Sequence, residues 1–235
     1  MNSKMKYAFL SNLLIGFIFG FTFVANSQSV DLNEFNELFI RGKVKVNYIY
    51  SENSYLEIET KEHADFATFK VENRVLKIKH SNFKPDRNKS VTINVYGGQL
   101  KTLKLKQGAI LTMDSTGFSD SVYVHLASGS EMKAMCNLKQ IKIIANRGSF
   151  AFLEGSLNSM NATVRSGAKI RCNISKISKA DVKISTGGFL AMESSAVVTG
   201  KVSTGGELKF YGTSNKHRVK QLLKGKVISV ENEQK

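Results

Sequence analysis

Residues 162–172, ATVRSGAKIRC, are followed by VKISTGGFLAM at 182–192 and GKVSTGGELKF at 200–210. The same frame already runs through LKLKQGAILTM at 103–113, VHLASGSEMKA at 124–134 and IIANRGSFAFL at 143–153. Each segment centres on a glycine (Gly108, Gly129, Gly148, Gly167, Gly187 and Gly205), with spacings of 21, 19, 19, 20 and 18 residues. A fixed period near twenty residues is the mark of a solenoid. Inside each unit the period is two. Three residues before the glycine stand Leu105, Leu126, Ala145, Val164, Ile184 and Val202, and three after it Leu111, Met132, Ala151, Ile170, Leu190 and Leu208. The positions between are mostly polar, as in Lys104, Arg165, Glu131 and Lys169. Side chains alternate across a strand, so one column points inward and the other to solvent.

Each unit therefore carries two short strands joined at the glycine, with a return segment of several residues. Ser or Thr precedes the glycine in four units, at Ser128, Ser166, Thr186 and Thr204. Glycine admits positive φ and the hydroxyl can bond local backbone, so the pair reads as a tight corner. A phosphate-cradling glycine loop needs a helix after the glycine, and here a strand follows. Identical inward columns at equal spacing are what in-register stacking produces. The fold class expected is thus all-β, a single parallel β-solenoid rather than an antiparallel sandwich or barrel.

Outside the repeats the pattern loosens. Residues 28–100 are β-rich, with candidate strands at 43–50, 55–60, 75–79 and 91–96. Loops are expected at 60–69 and 80–89, the second holding the only proline, Pro85. They read as irregular first coils, 101–212 as the regular repeats and 213–235 as a C-terminal cap. Lys4 and Lys6 precede an apolar run ending near Val24 and a small-residue site, Ala25-Asn26-Ser27. This has the form of a signal peptide over residues 1–27. The run is short of the roughly 20 residues that a membrane-spanning helix needs, so no integral span is expected after cleavage. Export to the periplasm, cell surface or medium follows, with 28–235 as one domain.

The net charge of +15 falls to +13 once the leader takes away two lysines and no acid. Such a balance suits anionic partners, among them glycan, lipopolysaccharide or an acidic envelope protein, and export argues against nucleic acid. Lysine on a long β-protein also simply protects edges and keeps the chain soluble. The two cysteines, Cys136 and Cys172, fall in coils with one whole coil between them. Two stacking steps of about 4.8 Å put them beyond disulfide reach, so both are expected as free thiols.

The opening Phe35-Asn36-Glu37-Leu38-Phe39-Ile40-Arg41-Gly42, the Ser-Gly-Ser/Ala and Thr-Gly-Gly corners, and the ending Gly205-Gly206-Glu207-Leu208-Lys209-Phe210-Tyr211-Gly212 together resemble a known family. It is the auto-transporter adhesin family with the head GIN domain, common among exported proteins of Bacteroidetes. The resemblance spans nearly all of residues 32–231. It implies a β-helical fold and an adhesive or surface role, and it brings no catalytic residues. Gln107-Gly108 and Arg147-Gly148 depart from the pattern by lacking the corner hydroxyl.

Parallel β-helices are often polysaccharide lyases or hydrolases, which need paired carboxylates or acidic metal ligands. Glu131 and Glu207 share a column but lie four repeats, about 19 Å, apart. His63, His80, His125 and His217 have no metal-ligand spacing, His125 reading as a surface residue. No catalytic residue, metal or cofactor is expected. Two outward features remain as a candidate binding surface: a basic set of Lys133, Lys169, Arg171 and Lys209 with Arg147 and Arg165 near it, and the outward aromatics Phe150, Phe152 and Phe189. The basic set could be a plain solvated face, and the aromatics could lie beneath a return loop or an oligomer partner. A non-catalytic envelope-binding or structural module is the reading favoured; a carbohydrate-active enzyme with its site in the N-terminal loops is the alternative.

Overall fold

The structure, a computed structural model, describes residues 29–59, 67–80, 90–193, 197–211 and 217–230. The leader assigned to residues 1–27, His63, and the loop segments 60–66 and 81–89 with Pro85 lie outside the described residues. All described strands belong to one 18-stranded sheet that winds into a parallel solenoid.

The inward columns stack as the alternation requires. Leu105 faces Leu126, which faces Ala145, and the column continues through Val164, Ile184 and Val202 in parallel register. None of the six is more than 1% exposed. The column after the corner (Leu111, Met132, Ala151, Ile170, Leu190, Leu208) is built the same way. Together they form one continuous apolar core from Phe35 to Phe210.

At every regular corner two successive residues hold positive φ: Ser128 and Gly129 at +56° and +70°, Ser166 and Gly167 at +54° and +72°, Thr186 and Gly187 at +51° and +70°. The corners stack through backbone bonds, Gly129 N–H donating to the Arg147 carbonyl (3.0 Å) and Gly167 N–H to that of Thr186 (3.1 Å). The hydroxyl that bridges backbone sits one residue after the glycine. Ser130 Oγ accepts from Ala127 N–H and donates to the Leu105 carbonyl of the preceding coil, both at 3.0 Å. That position is small in every regular coil (Ala109, Ser130, Ser149, Ala168, Gly188, Gly206) because it abuts the backbone of the coil before it.

The return segments are strand as well. Glu131–Asn146, Phe150–Arg165 and Lys169–Ser185 each run unbroken from one corner to the next. The ladder slips at Gly155, where a Cβ would strike the Cys136 carbonyl. Cys136 and Cys172 are both buried and free. Cys136 faces Gly155, which faces Ile174, so a whole coil does separate the two thiols.

The two ends close differently. His217–Gln221 and Lys226–Val230, in the segment expected to cap the stack, pair in parallel with Val197–Val202 and Glu207–Tyr211 as one further coil. Its corner is Leu223-Lys224, at φ +46° and +63°. At the N-terminal end stacking order departs from chain order. The coil made by Glu37–Arg41 and Val44–Tyr50 lies between the coil of Val75–His80 and Val91–Gly97 on one side and that of Leu100–Lys106 and Ile110–Met113 on the other. The chain starts one coil in, goes out to build the end coil, then returns. Tyr55–Ile58 and Ala67–Glu72 then pair antiparallel with that end coil, and Ser29–Asp31 with Tyr55–Ile58. Residues 67–69, expected in a loop, are thus strand. These antiparallel strands, rather than a further coil, cover the end of the stack.

Candidate binding grooves

Outward residues after the corner form vertical ladders, one residue per coil. The ladder two residues past the corner reads Glu131, Phe150, Lys169, Phe189, Glu207; the ladder four past reads Lys133, Phe152, Arg171, Ala191, Lys209. Coils stack about 4.8 Å apart, so aromatic and cationic side chains alternate at contact spacing. Phe150, Phe152 and Phe189 are half-buried and Lys133, Lys169 and Arg171 exposed. The return segments of these coils are strand rather than loop.

Ala191 breaks the ladder of long side chains. It stands between Arg171 and Lys209 and is buried, so its methyl leaves a notch where its neighbours project. The notch has a volume of about 510 Å³ and is walled by Phe152, Phe189 and Tyr211, with Arg171, Lys209, Asn173 and Glu193 around it. Lys209 Nζ lies 5.2 Å from the centre of the Tyr211 ring, a cation–π distance. Rings beside convergent donors and acceptors can hold an amphipathic ligand such as a sugar, whose faces are apolar and whose edges are hydroxyl.

Arg147 and Arg165 do not join this face. Arg147 is itself a corner residue (φ +50°) and Arg165 ends the strand before the corner. The corner turns them onto a second, basic groove with Arg41, Lys106, His125 and Asn146. His125 is half-buried there, Nε2 lying 3.3 Å from Asn146 Nδ2. Burial first, then Lys106, Arg165, Lys104 and Arg147, pull its pKa below the ordinary histidine value. Tyr211, Asn173 and Ala191 were not among the sequence candidates. Extending each outward ladder by two residues, and noting where it turns small, would have found them.

Acids are sparse on both faces. Glu131 and Glu207 remain four coils apart along one ladder. Glu57 and Glu59, near the N-terminal end, are engaged in hydrogen bonds: Tyr96 Oη donates to Glu57 (3.2 Å) and Asn94 Nδ2 to Glu59 (2.7 Å), beside the stacked rings of Tyr55 and Tyr96. Among the described residues no group of three or more His, Cys, Asp or Glu side chains is placed to hold a metal ion.

A family model described as "Putative auto-transporter adhesin, head GIN domain" matches residues 34–214. Three solved structures share the fold. A "putative adhesin" from Parabacteroides merdae is 14% identical with TM-score 0.68, covering 87% of this chain and 95% of that one. A "putative adhesin" from Bacteroides fragilis is 13% identical with TM-score 0.68, at 87% and 96% coverage. A "Putative lipid binding protein" from Parabacteroides distasonis is 16% identical with TM-score 0.60, also at 87% and 96%. No match is found among curated proteins.

Proposed function

Because the chain belongs to the auto-transporter adhesin head GIN domain family, we propose that it is an exported, non-catalytic adhesin-like module that holds a glycan of the cell envelope in the notch at Ala191. The observation that carries this reading is the notch itself: a gap one residue wide between Lys133, Phe152 and Arg171 on one side and Lys209 on the other. A sugar ring set over Ala191 stacks on Phe189 or Tyr211 while Arg171, Lys209 and Asn173 reach its hydroxyls. The leader-like start supports export, with periplasm, cell surface and medium all compatible. Lipopolysaccharide saccharide or a glycosylated envelope protein would present the same chemistry.

A carbohydrate-active enzyme would need two carboxylates facing across a cleft. Glu57 and Glu59 are instead spent on Tyr96 and Asn94, which gives that alternative little support. A lipid tail would need an apolar slot, and the polar rim of the notch does not supply one. A glycan array tests the proposal. The protein should retain a defined set of glycans intact, and Phe189→Ala should weaken the best of them roughly tenfold, about 1.4 kcal/mol. Release of new reducing ends, or retention untouched by Phe189→Ala, would count against it.

A further inference from the structure

We infer that the second groove, on the other side of the corner, is a binding site for a saccharide carrying a sulfate or phosphate ester. It is a concavity of about 760 Å³ whose lining holds Arg41, Lys106, Arg147 and Arg165 and no Asp or Glu. Among the described residues none of these four cations has an acidic partner; the acid bridged on this face, Glu37, is 4.0 Å from Lys104. Four unneutralised cations around one hollow are held apart by the β-ladder, at an electrostatic cost that an anion relieves.

The placement is convergent. Lys106, Ala127 and Asn146 are successive rungs of one outward ladder, and Arg165 follows in step, one residue past the Ala145–Val164 pair, so a long cation stands at each end of two short residues. From the midpoint of the short pair, each cation's backbone is one and a half rungs, about 7 Å, away, within reach of an extended lysine or arginine. Arg147 enters from the corner. Arg41 enters beside Lys106, with its Nε tied to Gln107 Oε1 at 2.5 Å, which leaves its terminal nitrogens to donate. Donors from several directions exceed what one carboxylate accepts and suit the three terminal oxygens of a sulfate or phosphate ester.

The floor explains why the ester should sit on a sugar. Asn146 is 9% exposed, and its buried Oδ1 has no hydrogen-bond partner. Its Nδ2 meets His125 Nε2 at 3.3 Å. A buried acceptor without a donor is costly and would repel a bare oxyanion. Asn146 lines the groove, and with its amide turned outward a hydroxyl next to the ester supplies the missing donor.

This site does not depend on the notch at Ala191, and calorimetric titration separates the two. The probes are an O-sulfated disaccharide, its desulfated counterpart and inorganic phosphate. The sulfated disaccharide should bind saturably and at least tenfold tighter than either of the others. Arg147→Asn, which keeps a residue tolerant of positive φ, and Arg165→Gln should each weaken it at least tenfold. Lys201→Gln and Lys220→Gln, the same charge change farther along the face, should leave it within twofold, as should Phe189→Ala. Equal losses in the two lysine variants would reduce the effect to net charge, and loss with Phe189→Ala alone would move the ligand to the notch. Either result, or absence of saturable binding by the sulfated probe, overturns the inference.

Discussion

Thr186, Gly187 and Gly188 illustrate how individual residues set this fold. Gly187 holds φ +70° with open space around a would-be Cβ, whereas a Cβ on Gly188 would collide with the Val164 carbonyl. Replacement at the first is limited by backbone conformation and at the second by contact. Gly187→Asn should therefore be nearly neutral and Gly187→Val should cost about 1 kcal/mol or more. Gly188→Val should cost more still; urea midpoints of the three variants check that order. The hydroxyl of Ser130 is a separate case. Ser130→Ala leaves the Ala127 N–H without its partner and should lose about 1–3 kcal/mol. The thiols make a pH prediction. Burial lifts Cys136 to about 12 and pushes Cys172 up as well, so the fold favours their neutral forms. That contribution is complete below the unfolded thiol value near pH 8.5, begins to be lost above it, and is gone once pH has risen through the folded values. Between pH 7.5 and 10 the urea midpoint of the native protein should fall further than that of the Cys136→Ala, Cys172→Ala double variant.

Among the elements, the six regular corners and both inward columns were legible because each is repeated at one phase. The small residue after each glycine was visible in the same alignment but carries no obvious meaning until the preceding coil's backbone is seen against it. The order of the N-terminal coils was not legible. Glu37–Arg41, Val75–His80 and Leu100–Lys106 are equally good apolar-in, polar-out strands, and alternation does not say which lies beside which. The candidate surface was half legible for a related reason: sequence placed Arg147 and Arg165 near Lys133 and Lys169, and the two-residue corner turns them onto another face. The last corner, Leu223-Lys224, uses two ordinary residues at positive φ. Leu223→Asn with Lys224→Gly should relieve that strain and slow amide exchange in Lys226–Val230; unchanged exchange would mean the corner is not what limits the terminal coil.

For the molecule as a whole, the core is a continuous apolar column and the outer faces carry the variation from coil to coil. Both grooves exist only because particular coils are neighbours: Ala191 between Arg171 and Lys209, and Ala127 with Asn146 between Lys106 and Arg165. Stacking order is accordingly the claim on which the functional reading rests, and its least expected feature is the insertion of the 37–50 coil between two later ones. Phe39 faces Lys104 on one side and Lys77 on the other, all three outward. Adjacent coils lie about 4.8 Å apart, within disulfide range, whereas Lys77 and Lys104 are two steps, about 9.6 Å, apart and outside it. The deciding measurement is non-reducing intact mass after mild oxidation of two double variants. Phe39→Cys with Lys104→Cys should lose two hydrogens and Lys77→Cys with Lys104→Cys should not. The reverse pattern would contradict the insertion: the coils would then stack in chain order, with Val75–His80 directly beside Leu100–Lys106.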